Sequence, residues 1–357
     1  MPLYMSQTTT LISAVTQLAT QSTTVINLSE FRPEWNWVAH AFEGPQQRWL
    51  HATSLQSRLP HSLPRRRTWA RIGAAVRVGR LLARSPHPML VSHGPRPTLY
   101  GATMTRLRGL QVPHLAYAFN FTDLPTGLAH KTMARAYRQV SRFVVFSTLE
   151  RELYARHFDL PIERFDMMHW AVQPRDASAE PPVEAGDYIC ALGSQARDYA
   201  TLFQAMVGLP HIRLVVVAQP ENLRDLTIPS NVSLYTAIPA TQAANILAHS
   251  RFTVIPLRDS VVPCGHVTIV SAMHAGKAIV ATESAGIRDY LKSGDTGALV
   301  PARDADALSQ QISELYENPL AAGEMGRRAL DFARLHCVES RVVERMAAYL
   351  AHGLDSR

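Results

Sequence analysis

Short apolar runs rich in β-branched residues recur along the chain, and stretches with helical periodicity separate them. In the second half these runs are DYICALG, IRLVVVAQ, RFTVIPL and KAIVAT. Runs without polar interruption are typical of strands that are covered on both faces, as in parallel sheets. Strands that alternate with helices predict βαβ units. We therefore predict an α/β protein with two Rossmann-like, doubly wound domains that bind ligands at the carboxyl ends of their strands.

A segment rich in proline, alanine and acidic residues, QPRDASAEPPVEAGDY, interrupts this alternation near the middle of the chain. It has no apolar period and is typical of a linker. We predict an N-terminal domain over residues 1–172, a linker over 173–187 and a C-terminal domain over 188–340. A last helix within residues 341–357 is expected to pack back on the N-terminal domain. A length of 357 residues is sufficient for two domains.

Several classes of protein are disfavoured by the sequence. No run of about 18 apolar residues is present, so we expect no transmembrane helix. The first twenty residues lack a basic region followed by an apolar core, which argues against a secretory signal. The three cysteines are far apart, which argues against a disulfide framework or a zinc site. These features predict a cytoplasmic protein.

The charge is distributed unevenly. Between Glu43 and Asp123 the sequence has twelve arginines and no acidic residue, so this segment carries +12. The rest of the chain must then carry −5 to give the net charge of +7. A basic half joined to a mildly acidic half predicts an anionic partner for the first half.

The most basic stretch, RRRTWARIGAAVRVGRLLAR, covers residues 65–84 and has the period of an amphipathic helix. A cationic stripe comprises Arg66, Arg77, Arg80 and Arg84, and an apolar flank comprises Trp69, Ile72 and Val76. Such a helix suits an anionic membrane surface. The alternatives are a helix packed on the core with a solvated arginine edge, and a nucleic-acid site. The nucleic-acid interpretation is disfavoured because no known motif or aromatic platform accompanies the stripe.

In the C-terminal half, the segment GHVTIVSAMHAGKAIVAT indicates a helix start, a short helix, a Gly-Lys turn and a buried strand. Gly265 permits close approach of a ligand to the backbone. The free N–H groups of His266 and Val267, with the side chains of His266 and Thr268, would then form a seat for an anion. An ordinary helix start, in which these residues serve only to begin the helix, is the structural alternative.

Residues 264–312, together with ALGSQARDYATLFQAM at 191–206, resemble the nucleotide-sugar half of GT-B glycosyltransferases of the GT4-like group, also called glycosyl transferases group 1. The first domain resembles this group more loosely, at VVFSTLERELYARHFDLPIERF. The resemblance implies two domains that face a cleft. It also implies a nucleoside diphosphate sugar as donor, with its pyrophosphate at the helix that begins near Gly265. A GT-B scaffold needs no metal ion and no further cofactor.

The sequence departs from the family pattern at two positions. Ser271 stands where the family usually has a glutamate that accepts both ribose hydroxyls. Ser194, after Gly193, stands where the family has an arginine, and Arg197 corresponds to the family lysine. Arg197 is therefore the one cation expected at the diphosphate. As the opening residue of a helix an arginine would be disfavoured by the helix dipole, which favours a functional role.

The resemblance also implies the remaining donor contacts. The nucleobase is expected between Gln219 and Ile238, and the sugar near Pro256, Arg258 and Asp259. Each of these residues also has a plain structural interpretation at a strand end or turn. The complete predicted donor site comprises Gly193, Ser194, Gln219, Ile238, Asp259, Gly265, His266, Val267, Thr268 and Ser271.

In the first half, the strand HLAYAFNFTDLP ends in polar residues at the expected cleft edge. We predict that Asp123 is the catalytic base and that Asn120 orients the acceptor, with Arg197 as the third catalytic residue. Asp123 could instead be a turn residue before Pro125. His93 and Gly94 form a second candidate, and the tryptophans of RPEWNWVAH could bind a sugar, a membrane interface or the core.

These features predict a glycosyltransferase that transfers a sugar from a nucleotide donor to a lipid-linked or polysaccharide acceptor at the inner face of the membrane. Family kinship favours retention of the anomeric configuration, whereas Asp123 as base favours inversion. We expect retention. The alternative function is a non-catalytic nucleotide-sugar-binding protein or a partner subunit, which the serines at 194 and 271 would support.

Overall fold

The computed structural model describes residues 23–30, 41–42, 47–55, 57, 59–60, 62–173, 177–258 and 263–354. The chain divides into two compact units. The first comprises residues 1–168 and 340–357, and the second comprises residues 169–339. Each unit contains a six-stranded sheet in which all pairs of neighbouring strands are parallel.

The first unit has the strand order β2-β1-β3-β4-β5-β6. Its strands are β1 Thr23–Ser29, β2 Gln47–Thr53, β3 Pro88–His93, β4 His114–Tyr117, β5 Arg142–Val145 and β6 Phe165–Met167. Its first four described helices are α1 Arg66–Arg84, α2 Pro95–Leu107, α3 Gly127–Tyr137 and α4 Thr148–Phe158. Strand order changes direction at β1, whose two neighbours are β2 and β3. Such a switch point is where open α/β sheets bind ligands.

The second unit has the strand order β12-β11-β10-β7-β8-β9. Its strands are β7 Ile189–Leu192, β8 Leu214–Ala218, β9 Val232–Thr236, β10 Thr253–Ile255, β11 Ile279–Thr282 and β12 Ala298–Val300. Its helices are α5 Tyr199–Val207, α6 Pro220–Leu223, α7 Ala240–His249, α8 His266–His274, α9 Ala305–Glu317 and α10 Pro319–His336. The switch point lies between β7 and β10.

Both faces of the second sheet are buried, which explains its unbroken apolar runs. Val216 and Val254 pack in the cluster on one face. Their chain neighbours Val215 and Ile255 pack in the cluster on the other face. Because successive side chains of a strand point to opposite faces, every position of such a strand has to be apolar.

The last helix, α11 Glu339–His352, belongs to the first unit from Ser340 onwards. The buried guanidinium of Arg142 donates to the carbonyl oxygen of Leu354 from Nε at 2.9 Å and from Nη2 at 2.6 Å. The hydroxyl of Tyr349 donates to the carboxylate of Asp166. These contacts hold the end of the described chain at β5 and β6.

Part of the segment interpreted as a linker is held on the second unit. Asn245 of α7, which is 1% exposed, donates from Nδ2 to the carbonyl oxygens of Ala177 and Pro181 at 3.3 and 3.1 Å. Its Oδ1 accepts from the amide of Val183 at 2.8 Å. We call residues 177–183 the strap. The strap contains only a short 3-10 turn, Ala177–Ala179, so its sequence shows no period.

The α/β fold with two parallel, doubly wound sheets is as predicted. Ten of the twelve described strands lie within apolar runs of the sequence, and the two that do not are β2 and β6. Both are edge strands of the first sheet. An edge strand has one neighbour and needs less apolar surface, and β2 carries exposed polar side chains at Arg48 and His51.

Candidate donor-binding site

The predicted anion seat is the N-terminus of α8, beside the carboxyl end of β10. Gly265 is the N-cap and has φ 96°, a left-handed conformation that favours glycine. It supplies no side-chain cap. Within the described part of the chain, no acceptor meets the amide N–H groups of His266, Val267 or Thr268. Three bare amides at the positive end of a helix can bind an anion.

Arg197 lies against this helix end. It is 4% exposed, and its Nη2 donates to Oγ1 of Thr268 at 2.8 Å. Its Nε and Nη1 donate to the carbonyl oxygens of Leu192 and Gln195 at 3.1 and 3.0 Å. No carboxylate among the described residues pairs with it. Burial lowers the pKa of this guanidinium from its usual value, because the charged form loses hydration.

The conformation of Gly193 makes room for Arg197. Gly193 has φ 112°, and a Cβ at this position would lie 2.5 Å from Nη2 of Arg197. Any larger residue would therefore displace the guanidinium. The carbonyl oxygen of Gly193 accepts from the hydroxyl of Tyr199 at 2.5 Å. The position of the Arg197 guanidinium therefore depends on a glycine at residue 193, at the end of β7.

Backbone hydrogen bonds fix the loop that carries Arg197. The amide of Arg258 donates to Ala196 O at 2.9 Å, and the amide of Asp198 donates to Pro256 O at 3.0 Å. The loops after β7 and β10 are thereby joined at the switch point. Arg258 and Pro256, predicted sugar contacts, lie in this junction, whereas Asp259 lies outside the described residues.

The structure corrects the position of Arg197 relative to its helix. Helix α5 begins at Tyr199 and is capped by Asp198, whose carboxylate accepts from the amide of Thr201 at 3.2 Å. Arg197 therefore precedes the helix and does not open it. The dipole argument from the sequence does not apply, and burial beside α8 is the property that distinguishes this residue.

The predicted role of the His266 side chain is wrong. Its Nε2 donates to the carbonyl oxygen of Gly286 at 2.8 Å, and its ring stacks on Tyr290 with centroids 4.8 Å apart. Burial lowers the pKa of this imidazole, so the ring is neutral and its one N–H is already used. Only the backbone amide of His266 remains for an anion.

Ser271 and Thr268 line a cavity of about 330 Å³ in the second unit. The cavity extends from the first turn of α8 to α7 and the strap. Val267, also a predicted site residue, belongs to the same wall. The hydroxyl of Ser271 donates to the carbonyl oxygen of Val267 at 2.8 Å.

The predicted nucleobase residues lie on neighbouring loops of the second unit. Oγ of Ser194 accepts from the amide of Gln219 at 3.3 Å, and Asn222 donates to Ser194 O at 2.7 Å. Ser194 therefore joins the loops after β7 and β8. Ile238 follows β9 and packs partly buried against the core. The structure brings Gly193, Arg197 and Thr268 into contact, and Ser194 into contact with Gln219.

The predicted catalytic residues of the first unit lie on the loop after β4. Ala118 has φ 52°, a strained left-handed conformation, and the amide of Asn120 donates back to Ala118 O at 3.0 Å. The amide of Phe121 donates to the hydroxyl of Tyr154 at 3.1 Å. Asn120 and Asp123 are exposed, and no described residue contacts their side chains through a hydrogen bond.

The sequence did not point to two polar residues beside His93. Nε2 of His93 donates to Oδ1 of Asn27 at 2.7 Å, and Asn27 contacts Nδ1 of His51 at 3.1 Å. These residues lie on β3, β1 and β2, at the switch point of the first sheet. Burial lowers the pKa of His93 to about 4, so its ring is neutral. The polar Asn27 inside the apolar run TTVINLS was the available signal. Gly94, which follows His93, is the N-cap of α2.

The arginine-rich segment forms α1, and one of its faces is exposed. Trp69 is 54% exposed, and Arg77, Arg80 and Arg84 are exposed without an ion-pair partner among the described residues. Arg66 differs from the other predicted stripe residues, because its Nε donates to Leu59 O at 2.9 Å. Among the described helices, none has the length and apolar character to cross a bilayer.

Comparison with solved structures identifies the fold. Sucrose-phosphate synthase of Thermosynechococcus elongatus superimposes with a TM-score of 0.69 at 14% identity, over 93% of this chain and 99% of that chain. HepE of Anabaena, in complex with UDP, has a TM-score of 0.68 at 13% identity, over 91% of this chain and 98% of that chain. The protein therefore has the GT-B fold of glycosyltransferases.

Sequence comparison gives the family to which the second unit is similar. Residues 189–318 match the family described as Glycosyl transferases group 1. A trehalose synthase of Pyrococcus horikoshii is 26% identical over 125 residues, which are 35% of this chain and 30% of that protein. The chain thus spans less than a third of this relative. These matches confirm the resemblance to GT4-like glycosyltransferases.

Proposed function

We propose that the protein transfers a glycosyl group from a nucleoside diphosphate sugar to a hydroxyl group of a lipid-linked or polysaccharide acceptor. One observation carries this proposal: Arg197 is a buried cation without a carboxylate partner among the described residues, beside three bare helix amides. A buried charge without a counter-ion is costly, so such a site suits an anion that arrives as a ligand. HepE was solved with UDP and with UDP-glucose, which supports a nucleotide sugar as that ligand.

In the proposed reaction the bond between the anomeric carbon and the diphosphate oxygen breaks, and its electron pair leaves with the diphosphate. The acceptor hydroxyl oxygen forms the new bond to the anomeric carbon, and its proton passes to the departing diphosphate oxygen. Arg197 and the amides of α8 stabilise the negative charge that develops on the leaving group. Because these groups supply positive charge, we propose that no metal ion or other cofactor is needed. We expect full activity in the presence of EDTA.

On the acceptor side we propose roles for Asp123 and Asn120. Asp123 contacts the acceptor hydroxyl, and Asn120 orients the acceptor by donating a hydrogen bond. Similarity to group 1 enzymes supports retention of configuration, and we propose this outcome. In a retaining reaction the hydroxyl approaches from the side of the leaving diphosphate. The anomeric configuration of the product, measured by NMR, tests this part of the proposal.

The test of the proposed function is the release of nucleoside diphosphate. The purified protein is incubated with UDP-, ADP- and GDP-sugars and with extracts that contain lipid-linked or polysaccharide acceptors. Release that depends on both donor and acceptor is the expected result. If no donor binds, the proposal is wrong.

A second candidate function is non-catalytic binding of a nucleotide sugar, or a role as partner subunit. Ser194, whose hydroxyl contacts the Gln219 amide, and Ser271, whose hydroxyl contacts Val267 O, favour it because neither position carries a charge. Binding of a sugar nucleotide without release of its diphosphate, in the presence of every acceptor tried, would support this second function.

We also propose that the exposed face of α1 binds the anionic inner surface of the cytoplasmic membrane. The supporting observation is the combination of exposed Trp69 with three arginines that lack ion-pair partners among the described residues. Each arginine near an anionic surface contributes on the order of 1 kcal/mol. We expect binding to phosphatidylglycerol vesicles but not to phosphatidylcholine vesicles, and loss of binding when Arg77, Arg80 and Arg84 are changed to Gln. Tighter binding to DNA than to these vesicles would contradict this proposal.

A further inference from the structure

The chain passes from the first unit into the second at residue 169. We call residues 169–172 the crossover segment. Nε2 of His169 donates to Asp289 O at 3.0 Å. The amide of the next residue, Trp170, donates to the hydroxyl of Tyr290 at 2.8 Å. The ring of His169 also meets the ring of Tyr290 edge-on, with centroids 5.1 Å apart. Tyr290 therefore contacts the crossover segment through both its hydroxyl and its ring.

Tyr290 is also in contact with the first residue of α8. It is 2% exposed, and the ring of His266 stacks on it with centroids 4.8 Å apart and an angle of 29° between the planes. His266 supplies the first of the bare amides of the anion seat, and its own ring is fixed by the hydrogen bond to Gly286 O. One tyrosine thus contacts both the first turn of α8 and the crossover segment.

The far end of the crossover segment is held at the far end of α8. The amide of Val172 and Nε2 of His274 donate to the same carbonyl oxygen, that of Cys337, at 3.3 and 3.0 Å. His274 is the last residue of α8. The crossover segment is therefore connected to both ends of the helix that carries the anion seat, and its contact with the first turn runs through Tyr290.

The first turn of α8 has a stability that a bound anion can change. Gly265 provides no side-chain cap, and the amides of residues 266–268 have no acceptor among the described residues. A helix N-terminus without a cap is less stable than a capped one. A diphosphate at these amides would supply the missing cap and so stabilise the first turn, together with the position of the His266 ring. This step rests on the donor site of the proposed function.

We propose that Tyr290 couples donor binding at α8 to the crossover segment. A nucleoside diphosphate at the anion seat strengthens the contact of His266 with Tyr290, and Tyr290 in turn holds the amide of Trp170. The coupling is reciprocal, since a contact that is favoured by the bound ligand also raises the affinity for that ligand. Tyr290 is a positioning residue, because it acts on the seat through His266. Donor binding to the second unit thereby stabilises the backbone at which the chain passes from one unit to the other.

The test is hydrogen exchange, resolved to single amides by mass spectrometry, on the intact protein with and without a saturating nucleotide. UDP, ADP and GDP are compared by calorimetry, and the one that binds best is used. The amide of Ala307, which donates to Oδ1 of Asp304 at 2.8 Å on α9, reports general stabilisation of the unit. We expect the nucleotide to slow exchange at Trp170 by about fivefold more than at Ala307, the low end of the range for coupled sites. Equal slowing at the two amides would overturn the inference.

Two variants locate the coupling. Tyr290→Phe keeps the aromatic ring and removes the hydroxyl, so we expect the slowing at Trp170 to fall to that at Ala307. Saturating nucleotide is used throughout, so that a change in affinity does not enter. Tyr188→Phe is the matched control, because its buried hydroxyl donates to Ile246 O at 2.9 Å on α7, and it should keep the difference. Full slowing in the Tyr290 variant would contradict the proposed link. If this variant does not fold, the exchange ratio in the unmodified protein decides the question.

Failure of the inference and failure of the proposed function give different results. A nucleotide that binds without the additional slowing at Trp170 overturns the inference and leaves the donor site in place. If none of the three nucleotides binds, the proposed function is wrong, and the inference fails with it.

Discussion

Nη2 of Arg197 donates to Oγ1 of Thr268 at 2.8 Å, which joins the loop after β7 to the first turn of α8. Because Thr268 accepts this bond, its own hydroxyl hydrogen is left to donate to a ligand. The guanidinium, the hydroxyl and the helix amides are therefore held as one set of donors before any anion binds. Such preorganised donors need little rearrangement when charge develops on a leaving group.

The Arg197→Met variant should bind UDP more weakly, with little change in thermal stability. Methionine keeps much of the apolar volume and removes a buried charge that has no carboxylate partner among the described residues. We expect weaker UDP binding by about 10- to 150-fold, the range for loss of a hydrogen bond to a charged group. The melting temperature should change little, because removal of a buried charge offsets the loss of the hydrogen bonds to Leu192 O and Gln195 O. Calorimetry and thermal unfolding measure the two effects. The exposed Arg224→Met is the control and should bind normally.

Gly193→Ala should displace the guanidinium of Arg197 and thereby weaken the same anion site. A Cβ would lie 2.5 Å from Nη2 of Arg197, and the φ of 112° is itself unfavourable for alanine. We expect a loss of stability of about 1–3 kcal/mol and weaker UDP binding. Gly294→Ala is the matched control, because Gly294 also has positive φ, but a Cβ added there would meet no described atom within 4 Å. Equal UDP affinity of the two variants would contradict the proposed contact.

Asp123→Asn should lower turnover without affecting donor binding. Asp123 is exposed, and no described residue contacts its carboxylate through a hydrogen bond, so the fold does not depend on it. We expect kcat to fall by about tenfold, because an amide oxygen accepts a weaker hydrogen bond from the acceptor hydroxyl than a carboxylate does. The KM for the donor should be unchanged. Asp187→Asn, another exposed loop aspartate, is the control. Unaltered kcat in the Asp123 variant would exclude it as a catalytic residue.

Glu150 should make the unfolding free energy depend on pH. It accepts from the amide of Phe146 at 2.7 Å and from Tyr154 at 3.2 Å, and burial raises its pKa from 4.5 to about 7. Between these values the folded protein binds more protons than the unfolded chain, so stability falls as pH rises through this window. The contribution is about 3 kcal/mol in total.

The Glu150→Gln variant does not titrate, and it isolates this contribution. The stability of the natural protein relative to the variant should decrease by about 3 kcal/mol between pH 4.5 and 8, as measured by urea unfolding. Glu152→Gln, an exposed position on the same helix, should follow the natural profile. Parallel profiles for the Glu150 variant and the natural protein would contradict the assignment.

Asn245→Ala should release the strap. The side chain bonds the backbone at Ala177, Pro181 and Val183, and alanine would leave these groups without their partner. We expect a loss of about 1–3 kcal/mol of stability. Limited proteolysis should cut faster within residues 177–187, as detected by mass spectrometry. Gln242→Ala, on an exposed position of the same helix, serves as control. An unchanged cleavage rate would show that Asn245 does not hold the strap.

Most of the fold could be predicted from the sequence, because each buried strand has to be apolar on both faces, as Val215 and Val216 illustrate. The helix start at Gly265 could also be predicted, since Gly265 and the short helix after it are adjacent in the chain. What the sequence could not show are contacts between distant residues. The ring of His266 donates its hydrogen bond to Gly286 O, twenty residues further along the chain. The guanidinium of Arg197 lies against Gly193, four residues before it, because of the conformation of the loop between them.

The polar contact between Asn27 and His93 is a further case. The two residues are 66 positions apart and meet because β1 and β3 are neighbours at the switch point. Strand order depends on how the connections cross the sheet, and apolar periodicity carries no information about it. Their proximity therefore had to come from the structure.

Arg142 binds the carbonyl group of Leu354, and helix α11 belongs to the first unit although it follows the second unit in the chain. During translation the ribosome therefore releases the whole second unit before the first has all of its residues. Until α11 has been synthesised, Arg142 of β5 and Asp166 of β6 lack their partners Leu354 and Tyr349. A fragment that ends before Ser340 would keep every described strand of both sheets yet lack α11.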